Sequence, residues 1–306
     1  MGQKILLESG TNEVEILEFY LGGQEYGINI AKVAQIIPFD PARLTRVPSS
    51  HQAVLGALLW QDRTIPLIDL GRMLGLSSGE TVERPIVLVA EFNSVVNGFL
   101  TDGVNRIHRL SWERLDPMSP LLEAHASHCT GSIRVESRDV LLIDFECIIA
   151  ELFPETSIAY HDVGISPVAE RGNKHVVFAE DSNFIRTMLG SHLRAAGYTG
   201  LEIFENGADA LRYVEQTRQR AAAAGEPLTT QLDLVVSDIE MPVMDGLALC
   251  RRLKLELGLD VPVVIFSSLI NEAMEQKCRE VGADANLNKP RLDQLVEVMD
   301  HLLGIA

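Results

Sequence analysis

Short apolar runs rich in β-branched residues mark the first half of the chain: Val14–Leu21, Glu25–Ile28, Val54–Leu59, Thr64–Ile68, Pro85–Ala90, Gly98–Leu100, Gly131–Val135 and Val140–Ile143. Gly, Pro, Asn and Asp separate them, which predicts a mainly β domain of the sandwich or barrel type. Gly22-Gly23 reads as a hairpin turn, and Leu70–Leu74 reads as a short helix after a strand end at Asp69. Beyond residue 174 the pattern changes. Apolar runs at His175–Ala179, Leu201–Phe204, Leu232–Ser237 and Val261–Ser267, with a short last one near Ala285–Leu287, alternate with longer segments of helical period. In Asn183–Ala196, residues Phe184, Ile185, Met188, Leu189, His192 and Leu193 share one helical face, and Ala196-Gly197 ends it. Strand and helix in alternation predict an α/β doubly wound parallel sheet covered on both sides.

Between the two patterns, Pro154–Pro167 and Glu170–Asn173 are dense in turn-formers and carry no period. The expected organisation is therefore a β domain at 13–152, a linker at 153–173 and an α/β domain at 174–304. The chain's 306 residues suffice for two cores. Residues 219–230, an alanine run followed by Gly225-Glu-Pro227, read as a peripheral extension of the second helix of the α/β domain.

Composition narrows the function. Apolar residues make up 46% and charged residues 23%, near the globular average, and no run approaches the length of a membrane span. The first fifteen residues lack the apolar core and cleavage site of a secretory signal, so the cytosol is the expected compartment. Net charge is −17; residues 1–173 hold 13 basic and 23 acidic side chains, and residues 174–306 hold 13 and 20. With both halves acidic, neither offers the basic footprint that nucleic acid or an anionic membrane demands. Cys129, Cys147, Cys250 and Cys278 are scattered in apolar surroundings and read as buried thiols. His125-x-x-His128-Cys129 lacks a second ligand pair at metal spacing, and no Gly-rich nucleotide loop or hydrolase motif is present.

In a doubly wound sheet the site lies at the carboxyl ends of the strands. There the sequence places Glu180-Asp181, Asp238, Ser267-Ser268 and Lys289-Pro290. Three carboxylates crowded together raise one another's pKa unless a cation sits among them. All-oxygen ligation with an open face suits Mg²⁺. One carboxylate can then attack a phosphorus atom in line, while Ser267 and Lys289 meet the equatorial oxygens.

The segments 178–182 (FAEDS), 238–246 (DIEMPVMDG), 263–268 (VVIFSS) and 288–290 (NKP) resemble, in order and spacing, the four motifs of response-regulator receiver domains. The resemblance covers about 174–303 and implies a flavodoxin-like sheet of strand order 2-1-3-4-5. It implies that Asp238 accepts a phosphoryl group and that Mg²⁺ is held by Asp181, Asp238, the backbone carbonyl of Glu240 and, through water, Glu180. Ser267 becomes the switch hydroxyl and Lys289 the phosphate contact, with Pro290 a candidate for a cis peptide. Glu180 replaces the usual first Asp, and Asn286 stands where many receivers carry Tyr or Phe.

The segments 26–38 (YGINIAKVAQIIP), 54–56 (VLG) and 63–70 (RTIPLIDL) resemble the CheW family of chemotaxis coupling proteins over about 13–151. This implies two small β-barrels that join chemoreceptors to the histidine kinase CheA. Where such proteins commonly read Asn-Leu-Arg-Gly, this chain has Leu59-Trp-Gln-Asp62; Trp60, if exposed, would anchor a partner. A CheW-like domain followed by a receiver is the architecture of CheV-type coupling proteins. The implied role is a phosphorylation-modulated adaptor, not an enzyme with turnover, held in receptor arrays at the inner face of the membrane. A phosphate sink that drains the kinase and a metal-dependent phosphatase using Asp238 as nucleophile are the alternatives.

Overall fold

Alternating burial organises the first half of the chain. The computed structural model describes residues 12–48, 51–76, 84–92, 95–118, 126, 128–154, 167–289 and 291–305. Two compact units are built mainly on Val14–Leu110 with Pro117–Phe153, and on Pro154–Ala306.

The first unit contains β1 (Glu13–Leu21), β2 (Gln24–Asn29), β3 (Val33–Pro38), β4 (Leu44–Thr45), β5 (Val54–Trp60) and β6 (Arg63–Asp69). It continues with β7 (Ile86–Phe92), β8 (Val95–Thr101), β9 (Gly103–Ser111), β10 (Leu115–Pro117), β11 (Cys129–Val135) and β12 (Arg138–Ile143). They form two six-stranded sheets of order β10-β11-β12-β2-β1-β9 and β4-β5-β6-β8-β7-β3. The two orders are the same pattern: two antiparallel hairpins joined side by side by a parallel pairing, β12 with β2 and β6 with β8, and one further strand at each edge. Positions 75 residues apart correspond closely. β5 and β11 share one burial pattern, each carries a register shift before its glycine (Gly56, Gly131), and the hairpins continue as β6 and β12. Each then ends in an aspartate, Asp69 or Asp144, whose carboxylate caps a helix: α1 (Leu70–Met73) or α2 (Phe145–Leu152). Gly22-Gly23 and Gln61-Asp62 both take positive φ, as two-residue hairpin turns require.

Four strands escape the apolar-run pattern, namely β3, β4, β9 and β10, because they are short or largely exposed. β9 carries Asn105, Arg106 and His108, which surround the fully buried Glu18 of β1. Burial pushes the Glu18 carboxyl up, but hydrogen bonds from His108, Asn105 and Arg106 outweigh it and hold the pKa below the ordinary value.

The second unit is a five-stranded all-parallel sheet, β13 (His175–Ala179), β14 (Gly200–Phe204), β15 (Leu234–Ser237), β16 (Val263–Ser267) and β17 (Ala285–Asn288), in the order β14-β13-β15-β16-β17. This is the 2-1-3-4-5 winding expected from the sequence. Successive strand residues face opposite layers. Val177, Val235 and Ile265 pack against α4 (Gly207–Ala224), α5 (Gly246–Arg251) and α6 (Glu272–Glu280). Phe178, Val236 and Phe266 pack against α3 (Asn183–Ala195) and α7 (Leu292–Leu303). Ser182, Asn206, Asp245 and Asn271 cap α3 to α6 in turn. Of the residues expected on the buried face of α3, Phe184 instead stands 40% exposed, one position off the Ile185–Leu189–Leu193 stripe.

The last residues read as linker are not loose. Ala169–Asn173 form a 3-10 turn whose Arg171 is buried against the second unit. Polar composition concealed this, because the partner of Arg171 lies 129 residues away. All four cysteines are free; Cys147, Cys250 and Cys278 are buried as expected while Cys129 is only partly so, and burial pushes their thiols up to about 11 or 12. No helix among the described residues is long and apolar enough to cross a membrane.

Candidate phosphoryl-acceptor site

Strand ends build the site. β13 finishes immediately before Glu180-Asp181 and β15 immediately before Asp238, while Ser267 and Asn288 close β16 and β17. Parallel pairing at Ala179↔Ser237 and Ser267↔Asn288 brings these ends together. Carboxylate oxygens of Glu180, Asp181 and Asp238 all lie within 4.8 Å of one another, Asp181 half-buried and the other two buried. Lys289 reaches in from beyond β17, its Nζ 2.7 Å from Glu180 Oε2 and 2.9 Å from Asp238 Oδ2, with no exposed side-chain surface. Asp238 Oδ1 accepts from the backbone N–H of Ile239 at 2.6 Å, and Glu180 Oε1 from that of Ser182 at 3.3 Å.

Among the described residues, three carboxylates converge with one ammonium in a mostly buried pocket, so formal negative charge outnumbers positive there. That imbalance and an oxygen-only donor set fit a small divalent cation, which would sit among Glu180, Asp181 and Asp238. Glu240 is buried two residues past Asp238, Ser267 is fully buried at the end of β16, and its backbone carbonyl accepts from Lys289 N at 3.2 Å. The five expected receiver side chains and Glu240 thus share one end of the sheet. Pro290 lies outside the described residues, as does His125; among the described residues His128 pairs with Glu151 at 2.8 Å.

The loop after Asp238 is tightly drawn. A Cβ at Gly246 would overlap the backbone carbonyl of Asp238, so α5 can begin here only with glycine. Val243 holds φ +67, a conformation that β-branched residues rarely adopt and that costs on the order of 1–3 kcal/mol. Asp245, almost wholly buried at the N-cap of α5, has its pKa pushed up to about 6 by burial, against which hydrogen bonds from Ala248 and Leu247 act.

Sequence reasoning missed Arg186. Its Nη1 donates to the backbone carbonyls of both Glu180 and Asp181, at 3.0 and 2.9 Å, and Nη2 pairs with Glu205. It fixes the loop that presents the two acids. The signal was its position one turn into the helix after the acidic pair, on the face toward the strand end.

Trp60 does not meet the condition set for an interface anchor. It is only 9% exposed, packed with Leu58, Ile65, Leu67, Val87, Val89 and Val96, and its Nε1 donates to Gln35 Oε1 at 2.7 Å. The exposed apolar side chain of that hairpin is Leu59, at 55%.

Fold and site together define a two-part signalling protein. Residues 15–153 match the CheW-like domain, and residues 176–300 match the response regulator receiver domain. Chemotaxis protein CheV3 of Helicobacter pylori is 30% identical across 99% of both chains. Chemotaxis protein CheV1 of the same organism is 22% identical over 96% of this chain and 95% of its own. A probable chemotaxis protein CheW of Rhizobium etli is 28% identical over 47% of this chain and 92% of its own. The chain belongs to the CheV family of chemotaxis proteins, adaptors in which a coupling domain carries a receiver.

Proposed function

We propose that this protein couples chemoreceptors to the histidine kinase CheA through its CheW-like domain, and that phosphorylation of Asp238 modulates the coupling. The observation that carries the reading is the buried convergence of Asp238 with Glu180, Asp181 and Lys289 at the carboxyl edge of the parallel sheet.

An oxygen of Asp238 attacks the phosphorus of a phosphohistidine. The P–O bond forms as the P–N bond breaks, and the imidazole leaves with a proton from solvent. Lys289 stands beside the nucleophile and meets a developing equatorial oxygen. The Ser267 hydroxyl, at the end of the neighbouring strand, receives another. Bound Mg²⁺ would neutralise phosphoryl charge, held by Asp181, Asp238 and the Glu240 carbonyl, with Glu180 acting through water. The Ile239 N–H on Asp238 Oδ1 and the Lys289 Nζ on Oδ2 orient the carboxylate before donor binding.

The test is phosphoryl transfer from autophosphorylated CheA to the full-length protein and to Asp238→Asn, with and without Mg²⁺. Label on wild type alone, and only with Mg²⁺, supports the reading. Label on Asp238→Asn sinks the acceptor assignment, and no label on either removes the regulatory half of the function.

A further inference from the structure

Arg171 precedes the receiver's first strand, yet it is among the best-tied side chains of the second unit. Its Nε and Nη2 donate to Asp300 Oδ1 and Oδ2 at 2.9 and 2.7 Å, a two-pronged pair, and Nη1 donates to the Ala196 carbonyl at 2.8 Å. The fully buried Tyr198 completes the cluster. Its hydroxyl donates to Asp300 Oδ1 at 2.7 Å and its ring lies under the guanidinium, 5.8 Å from centroid to Cζ. The neighbouring backbone follows suit: Val168 N donates to Ala196 O, and Thr199 Oγ1 to Gly172 O. Gly197, at φ +111, admits this close passage, since a Cβ there would stand 2.8 Å from the Val168 carbonyl. Burial raises the Tyr198 pKa further, so its proton stays on.

Asp300 belongs to α7, and α7 begins three residues after Lys289. Leu292, Leu295, Val296 and Met299 bed the helix on the Phe178–Val236–Phe266 layer, and one continuous helix joins Leu292 to Asp300 as a rod. Asp300 stands eight positions after Leu292, a span of about 12 Å along the axis. One end of the rod is tied to the acidic site through Lys289; the other grips the segment that enters the domain.

We propose that the Arg171–Asp300–Tyr198 cluster is a coupling clamp, which carries the state of the Asp238 site through α7 into residues 167–173. The inference rests on the phosphorylation reading above and adds its exit route. When a phosphoryl group draws Lys289 away from Glu180, α7 shifts as a unit, by the 1–2 Å typical of helix displacements. Asp300 then pulls on the Arg171 turn. Without the clamp, the entering segment would be indifferent to the site.

Hydrogen–deuterium exchange on the full-length protein, with Mg²⁺ and beryllofluoride as phosphoryl mimic, reads both ends. One peptide reports the loop after Ser267 and another reports residues 167–173. In wild type both should respond, the second by about threefold or more in rate. Arg171→Met with Asp300→Leu replaces the ion pair by apolar contact and should keep the loop response while losing that at 167–173. Should that pair fail to fold, Asp300→Asn, which keeps shape and removes charge, is expected to give the same separation. A response at 167–173 that survives in the variants, or a wild type that responds only at the loop, overturns the clamp. A wild type silent at the loop overturns the phosphorylation reading and the clamp with it.

Discussion

Replacing Lys289 by Met tests the site at its electrostatic centre. In the native protein one ammonium lies 2.7 Å from Glu180 and 2.9 Å from Asp238, with all three side chains at 4% exposure or less. Met keeps most of the apolar stem and removes the charge, so two adjacent buried carboxylates lose their shared partner. Removing one member of a buried pair costs about 3–5 kcal/mol, chiefly from the charge left behind. That is a large share of the about 5–15 kcal/mol that stabilises a domain. A divalent cation should offset the loss. Bound at a hundred times its dissociation constant it contributes about 2.7 kcal/mol, and in the variant it no longer competes with the ammonium. Urea melts followed by helical ellipticity, in chelator and in saturating Mg²⁺, measure both quantities. The expected result is a destabilisation of about 3–5 kcal/mol without metal, and a Mg²⁺ increment larger than that of wild type. If Lys289→Met melts within about 1 kcal/mol of wild type without metal, or Mg²⁺ stabilises both equally, the buried charge excess is not what holds the site.

Two further substitutions probe the loop after Asp238. Asp245 has a native pKa of about 6 against an ordinary 3.8. Its contribution to stability is therefore complete below about pH 4 and lost as pH rises through 6, a total of at most about 3 kcal/mol. Asp245→Asn keeps a capping oxygen for the Ala248 N–H and should flatten that slope; melts at pH 4 and 7 that shift wild type and variant equally would contradict it. Gly246→Ala drives a methyl into the Asp238 carbonyl. It should cost about 3 kcal/mol or more and abolish phosphoryl transfer, whereas an active, stable variant would show that the loop can relax.

The receiver half was legible because physics writes its pattern twice. Strands buried on both faces read as unbroken apolar runs, and β13 begins and ends where the run His175–Ala179 does. Chemistry at the strand ends follows from the winding, so Glu180, Asp181, Asp238, Ser267 and Lys289 could be collected without a structure. The coupling half is less transparent. β9 alternates polar residues whose role is to satisfy Glu18, 87 to 90 positions earlier, and no local signal announces that. The correspondence between 54–69 and 129–144 is carried mainly by burial and register, with identity at Gly56/Gly131, Arg63/Arg138 and the closing Leu-Ile-Asp of each segment. Trp60 shows the same limit, since its ring is buried by Val87, Val89 and Val96 of other strands and its Nε1 is satisfied by the distant Gln35. Arg171 is the sharpest case: a polar turn-rich stretch hides a salt bridge to the last helix.

Asn286 bears on how the receiver could speak to the rest of the chain. It lies half-buried in β17 opposite Ile265, two positions before the strand ends at Asn288. A short amide there has no ring to swing between solvent and core, so the volume change that drives an aromatic switch is absent. What β17 does offer is continuity. Lys289 follows it directly, its ammonium divided between two carboxylates, and α7 follows Lys289. A phosphoryl group on Asp238 gives that ammonium a stronger acceptor than Glu180, and any cation gathered by the acids lessens the need for Lys289 to neutralise them. On the proposal above, the residue that moves is the one joined to the rod. On the clamp proposed above, a protein that lacks the aromatic but ties the far end of that rod to its entering segment through Arg171 would deliver its output at the amino-terminal side of the receiver.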